Sequence, residues 1–127
     1  ALNTIARREN LRTKFLVAPG SIDNDVCNTV GSSIGFYSAL DKSLDMLEWI
    51  RDTASSHRRV YVVRSMGRKS AYLALYAGIA SGAEFVVTPN EVVDYENVAT
   101  LIAERDKDTR IIVSESYPMS LDEIRAK

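Results

Sequence analysis

The sequence predicts an α/β fold: a mainly parallel sheet with helices on both faces, a Rossmann-like three-layer sandwich. Three observations carry the prediction. Four short runs are apolar at successive positions, as strands covered on both faces should be. The stretches between them repeat apolar residues every three or four positions, the period of an amphipathic helix. The length, 127 residues, suits one core.

The strand candidates are residues 14–18, 59–63, 84–88 and 110–114. Residues 33–56 bring Tyr37, Leu40, Leu44, Leu47 and Ile50 to one side, with Asp41, Lys42, Asp45 and Arg51 elsewhere, which predicts a long amphipathic helix. Residues 69–81 carry Leu73, Leu75, Tyr76 and Ile79 and run into Gly82, a helix stop. Residues 94–104 hold Val98, Leu101 and Ile102, and Ser120 with Glu123 three positions later reads as a capping box opening a last helix. The predicted order alternates from an opening helix to a closing one. Helix-length crossovers between strands require parallel pairing with right-handed connections.

Composition narrows the function classes. Apolar residues at 46% and charged residues at 26% match a globular chain rather than a disordered one. Sixteen basic against 17 acidic residues leave a net charge of -1, so no overall field invites nucleic acid or an anionic membrane. A bound anion must be held locally. Cys27, the single cysteine, has no partner for an internal disulfide, and neither a membrane span nor a signal peptide is legible, so a cytoplasmic location is expected. An opening of Ala1-Leu2-Asn3 without methionine, and a close within a turn or two of a capped helix, suggest part of a longer polypeptide.

Open parallel sheets bind ligands beyond the carboxyl ends of their strands. After the first run comes Pro19-Gly20-Ser21-Ile22-Asp23-Asn24-Asp25, where two carboxylates flank an amide. One could take a proton from a substrate hydroxyl while the other holds a metal or its water; equally, these side chains could bond their own backbone in a turn. After the second run, Met66-Gly67-Arg68-Lys69 is read as a helix start, with Arg64, Arg68 and Lys69 at its positive end. Either an anion sits there, drawn by free amides, or the turn is a solvated basic one. Glu115 follows the fourth run. Asp52, Ser55, Ser56 and His57 lack a nucleophile partner, Arg58 suits a helix end, and Trp49 and Tyr76 read as core or interface. No zinc spacing and no Gly-rich nucleotide loop is present.

Set in order, these pieces resemble the phosphofructokinase family along nearly the whole chain. The matching motifs are Pro19-Gly20-Ser21-Ile22-Asp23-Asn24-Asp25, Ser33-Ile34-Gly35-Phe36 with Ala39-Leu40, Asp52-Thr53-Ala54-Ser55-Ser56-His57-Arg58-Arg59, Val62-Val63 with Met66-Gly67-Arg68, Tyr72-Leu73-Ala74-Leu75 and Gly82-Ala83-Glu84. The resemblance implies a phosphofructokinase-type fold, with residues 1–30 as a strand and loop of the nucleotide-side portion and 31–127 as the sugar-phosphate portion. It implies a 6-phosphofructokinase of glycolysis, with Asp23 as the base, Ser21, Met66, Gly67, Arg68 and Glu115 as ligands of fructose 6-phosphate, and Asp25 near Mg2+. Arg59 would reach the sugar phosphate of a neighbouring subunit in a homo-oligomeric tetramer. Arg51, Gly82 and Glu84 would belong to an allosteric nucleotide effector site.

ATP is the implied donor, because the family's pyrophosphate users commonly carry lysine where this chain has Gly20. A pyrophosphate-dependent enzyme and a noncatalytic sugar-phosphate or effector-binding homologue are the alternatives. The family's nucleotide loops precede the matched segment, which implies an ATP/ADP site largely outside it and no activity from the segment alone. The chain departs from the family pattern at Arg64, where a glutamate is usual, at Lys69, Ser70 and Ala71 after the Met-Gly-Arg motif, and by one extra residue between Asp25 and Gly35, at Val30-Gly31.

Overall fold

The computed structural model describes residues 2–26, 31–105 and 107–126. Its elements are α1 (Leu2–Arg8), α2 (Phe36–His57), β1 (Val60–Ser65), α3 (Tyr72–Ser81), β2 (Phe85–Val87), α4 (Tyr95–Glu104), β3 (Thr109–Ser114) and α5 (Leu121–Arg125). Cys27 and Val30 lie outside the described residues.

The three strands form one parallel sheet in the order β1-β3-β2. Val60 pairs with Thr109 and Ser65 with Ser114, while Phe85 pairs with Ile111. The crossover through α3 passes over the position of β3, and the crossover through α4 comes back to fill it. Right-handed connections that run in opposite directions put their helices on opposite faces. Packing agrees. On one face Leu47 of α2 and Ala74 and Ala77 of α3 close on Ile112, with Val63 alongside. On the other, Val87, Ile111, Val113 and Tyr117 gather Val62, Ile102 and Ile124. Neighbouring β3 residues thus serve opposite cores, and the whole strand is buried.

Three expectations are corrected here. Residues 14–18 form no strand: only a single parallel bridge joins Gly20 to Ile34, and Leu16 and Val17 are 100% and 80% exposed. Their apolar pattern asks for strands on both sides, and the described residues supply none; instead the Asn3 side chain donates to the Phe15 carbonyl at 3.5 Å and accepts the Phe15 N–H at 3.4 Å. Of the apolar residues predicted for α3, only Leu73 is buried. Leu75, Tyr76 and Ile79 face outward, and Leu73, Ala74, Ala77 and Gly78 face inward. Small residues win because α3 runs so close to β2 that a Cβ on Gly78 would strike the Val86 side chain. Trp49, read as core or interface, is 73% exposed and so is not core.

Helix ends follow local chemistry. Asp94 caps α4 by accepting from the Asn97 N–H at 3.1 Å. The Ser120–Glu123 capping box opens α5 as predicted, and hydrogen bonding from the Ser120 N–H first, then from its hydroxyl, holds the Glu123 carboxyl below the usual range.

Candidate active site at the strand ends

Three loops meet at the carboxyl ends of β1 and β3. The first carries Ser21, Asp23 and Asp25. Within it the Ser21 hydroxyl accepts from the Asp23 N–H at 3.2 Å and donates to Asp25 Oδ1 at 3.0 Å. The Ser33 N–H donates to Asn24 Oδ1 at 2.9 Å, and its hydroxyl donates to the Ser21 carbonyl at 2.7 Å. Asn24 takes a left-handed backbone conformation at φ 52°. The Ser21 hydroxyl thus serves the backbone of its own loop, while Asn24 holds the Ser33 N–H nine residues on.

Asp23 is different, because its carboxylate reaches outside the loop. Its Oδ2 accepts the Arg68 backbone N–H at 3.3 Å. One residue earlier, the Gly67 N–H donates to Glu115 Oε2 at 2.9 Å. Two adjacent amides after β1 thus hold two carboxylates from opposite ends of the sequence. Glycine is demanded there: φ is +139°, and a Cβ would collide with the Ser70 carbonyl.

This overturns one expectation and explains it. Met66 to Lys69 is not a helix start, since α3 begins at Tyr72. The amides of 67 and 68 are occupied by carboxylates rather than left for an anion. What remains for an anion is side-chain charge. The exposed Arg68 guanidinium has no hydrogen bond or ion pair to another described residue, and Lys69 is exposed beside it.

Sequence reading placed Arg64 among the anion-attracting cations and noted Ser70 only as a departure from the family pattern, and it missed what both do. Arg64, half-buried on β1, donates through Nη2 to the carbonyls of Glu115 at 3.2 Å and Tyr117 at 2.8 Å, and so ties down the loop that carries Glu115. Ser70 donates its hydroxyl to the Asp23 carbonyl. The available signal was position alone: both lie within a few residues of the Met-Gly-Arg motif. Behind this loop the Tyr95 and Tyr117 hydroxyls meet at 2.7 Å. Burial first, and then that hydrogen bond, push the Tyr95 hydroxyl up to about 12.

Other predicted residues lie elsewhere. Arg59 precedes β1, a strand length of roughly 20 Å from the loops at its carboxyl end. Its exposed side chain makes no ion pair among the described residues. Arg51 and Glu84 do come together, lining a cavity of about 250 Å³ with Ser55, Arg105, Lys107 and Arg110. Arg51 pairs with Glu48 at 2.8 Å, while the buried Arg110 bonds the Gly82 carbonyl at 2.9 Å and lies 3.6 Å from Glu84. A second cavity, of about 960 Å³, lies over the α4 and α5 face and contains none of the candidate site residues.

Among the described residues no three His, Cys, Asp or Glu side chains cluster as a metal cage. Magnesium does not need one, because it commonly binds through one or two carboxylates together with substrate phosphates and water. Half-buried Asp25 fits that requirement by chemistry and position. Among the described residues no helix is long and apolar enough to cross a membrane.

Known proteins bear on this geometry. The phosphofructokinase family model matches residues 1–126. An ATP-dependent 6-phosphofructokinase of Streptococcus sanguinis is 43% identical over 112 residues, 86% of this chain and 33% of that protein. One from Bacillus thuringiensis is 46% identical over 98 residues, 75% of this chain and 30% of that protein. Among solved structures, phosphofructokinase from Saccharomyces cerevisiae superposes with a TM-score of 0.74 at 35% identity, covering 86% of this chain and 16% of that one. A pyrophosphate-dependent phosphofructokinase from Nitrosospira multiformis shares the fold at TM-score 0.64 and 18% identity, over 94% of this chain and 33% of that one. The chain spans about a third of the length of the curated relatives it matches. With the model matching almost every residue, the chain belongs to the phosphofructokinase family.

Proposed function

We propose that this chain is the sugar-phosphate part, residues 31–127, together with the base-carrying loop of the nucleotide-side part, within residues 1–30, of an ATP-dependent 6-phosphofructokinase, acting in glycolysis in the cytoplasm and assembled as a homo-oligomer. The observation that carries the proposal is the convergence of Asp23 and Glu115 on the adjacent amides of Gly67 and Arg68. It supports a reading in which a carboxylate base, a second carboxylate able to accept sugar hydroxyls, and the Arg68 guanidinium, unpaired among the described residues, share one strand end.

In this reading the 1-hydroxyl of fructose 6-phosphate loses its proton to Asp23 as its oxygen bonds to the γ-phosphorus of ATP. The bond from that phosphorus to the bridging oxygen breaks, and ADP leaves with the electron pair. Such transfers depend on alignment and on neutralising charge, so an ordinary carboxylate suffices as base. Ser21 and Glu115 orient the sugar, and the Met66-Gly67-Arg68 turn lines its pocket, with Arg68 supplying a charge-assisted hydrogen bond. Asp25 would hold Mg2+, which when bound offsets charge on the transferring group. Arg59 lies far from these loops and serves the sugar phosphate of an adjacent subunit. Arg51, Gly82 and Glu84 border an effector site.

The test compares Asp23→Ser with Asp25→Ser in the full-length enzyme, each titrated with magnesium at saturating substrates. Asp23→Ser should lower kcat by about 10²–10⁴ with sugar binding near normal. Asp25→Ser should instead raise the magnesium requirement. More than a tenth of the wild-type kcat in Asp23→Ser would sink the role of Asp23. A full-length wild type that binds fructose 6-phosphate without turning it over would favour the noncatalytic alternative, and turnover with pyrophosphate but not ATP would favour the other.

A further inference from the structure

The Asp23 loop is reached by the strand-end turn at two points. The Arg68 N–H takes the carboxylate, and the Ser70 hydroxyl donates to the main-chain carbonyl of the same residue. Among the described residues, the loop also bonds within itself and to Ser33 and Ile34, beside the start of α2. Ser70 itself is half-buried and sits ahead of α3, between the Gly67 turn and Tyr72. Its neighbours Arg68 and Lys69 are exposed.

From this geometry we propose that Ser70 is a positioning residue for Asp23, fixing the distance between the candidate base and the turn that carries Arg68. The reasoning is one of constraint. A carboxylate on a loop has three soft degrees of freedom: the loop's own displacement and the two side-chain torsions. The Arg68 N–H restrains the far end of the side chain. A carboxylate held only there can still swing about that point as the loop shifts. Anchoring the carbonyl of the same residue to the same turn removes that motion, because both ends of Asp23 are then referred to residues 68–70. The turn is tightly closed, since Gly67 approaches the Ser70 carbonyl closely enough to exclude a Cβ. The base and the anion-binding arginine thereby move as one unit, although their loops are distant in sequence.

The inference rests on the proposed role of Asp23. It predicts an effect on the chemical step rather than on sugar affinity, because the lost bond orients a base and touches no substrate. Small displacements of a reacting group can lower rates by about 100-fold.

The experiment uses Ser70→Ala, Ser70→Thr and Asp23→Ser in the full-length enzyme, with kcat, KM for fructose 6-phosphate and thermal melting recorded for each. In parallel, amide hydrogen exchange at Arg68 is followed in this chain. Ser70→Ala should lose about 10-fold to 100-fold in kcat with KM within about twofold of wild type, and Arg68 should exchange faster. Ser70→Thr keeps the hydroxyl and should recover most of kcat. A kcat for Ser70→Ala equal to wild type while Asp23→Ser is inactive overturns the positioning role and leaves the base intact. Equal losses in Ser70→Ala and Ser70→Thr, or a fall that follows melting temperature alone, also overturn it. An active Asp23→Ser overturns the underlying role of Asp23, and the proposal with it.

Discussion

Residues 14–18 and 110–114 are nearly interchangeable by pattern: each is a five-residue run with three successive apolar positions at its centre. Their surroundings are opposite. Ile112 and Val113 are 1% and 0% exposed in the middle strand of the sheet, and Leu16 and Val17 are 100% and 80% exposed with no strand formed. Apolar succession records the demand for two covered faces, whereas burial depends on who is present to cover them. Residues 110–114 have β1 and β2 on either side and helices above and below. Residues 14–18 lead instead to a single bridge at Gly20. The candidate site lies across the seam between these two regions, with Asp23 from the poorly covered one and Gly67, Arg68, Ser70 and Glu115 from the well-packed one.

The largest effect expected from this contrast is on the packed side. Ile112→Ala removes a buried side chain that Leu47, Ala74 and Ala77 enclose. It should cost about 2–5 kcal/mol, through lost transfer energy plus a cavity that two alanines and a strand cannot refill. Denaturant unfolding of this chain measures it directly. A loss below about 1 kcal/mol would mean that this face is not the organising core.

Legibility followed the same divide. Elements whose signals are local were readable: α2, α4 and the Ser120–Glu123 box arise from spacing and capping within a few residues. Strands β1, β2 and β3 were readable because their partners are present. The inward face of α3 was not, since Leu75, Tyr76 and Ile79 are the more apolar choice. Only the closeness of Val86 to Gly78 selects the small face. The helix start at Met66 failed for a related reason, as the Gly67 turn spends its amides on carboxylates before α3 begins at Tyr72. At the site, carboxylates at strand ends were legible from topology. The contacts of Arg64 and Ser70 were not, because each donates to a backbone carbonyl, and carbonyls carry no sequence signature.

A smaller effect should appear at alkaline pH on the face where α4 meets the loop after β3. Tyr95 is held to about 12 in the folded chain by burial and by Tyr117, against about 10 when unfolded. The folded state therefore favours the neutral phenol. That contribution is complete below pH 10 and is lost as pH rises through about 12. Stability measured between pH 9 and 12 should fall across this window, and Tyr95→Phe should flatten the fall. Among the six tyrosines, one should ionise late in absorbance titration and vanish in Tyr95→Phe. An unchanged titration in that variant would remove the Tyr95–Tyr117 contact from the account.

The smallest expected effect is the most direct attempt to break the comparison. Leu16→Ser places a polar group where the leucine is already fully exposed, so no apolar contact is lost and no polar group is buried. Such surface changes usually stay within about 0.5 kcal/mol. In this chain the substitution should leave the unfolding midpoint where it was, in contrast to Ile112→Ala. The same substitution in the full-length enzyme sharpens the point. There a second strand beside residues 14–18 would cover Leu16, and burying a leucine is worth about 1.5–3 kcal/mol. A loss confined to the full-length protein would show that the pattern in residues 14–18 is a request for a partner supplied by other parts of the polypeptide. A loss of that size in the 127-residue chain itself would mean that Leu16 is already covered, and the contrast between the two runs would disappear.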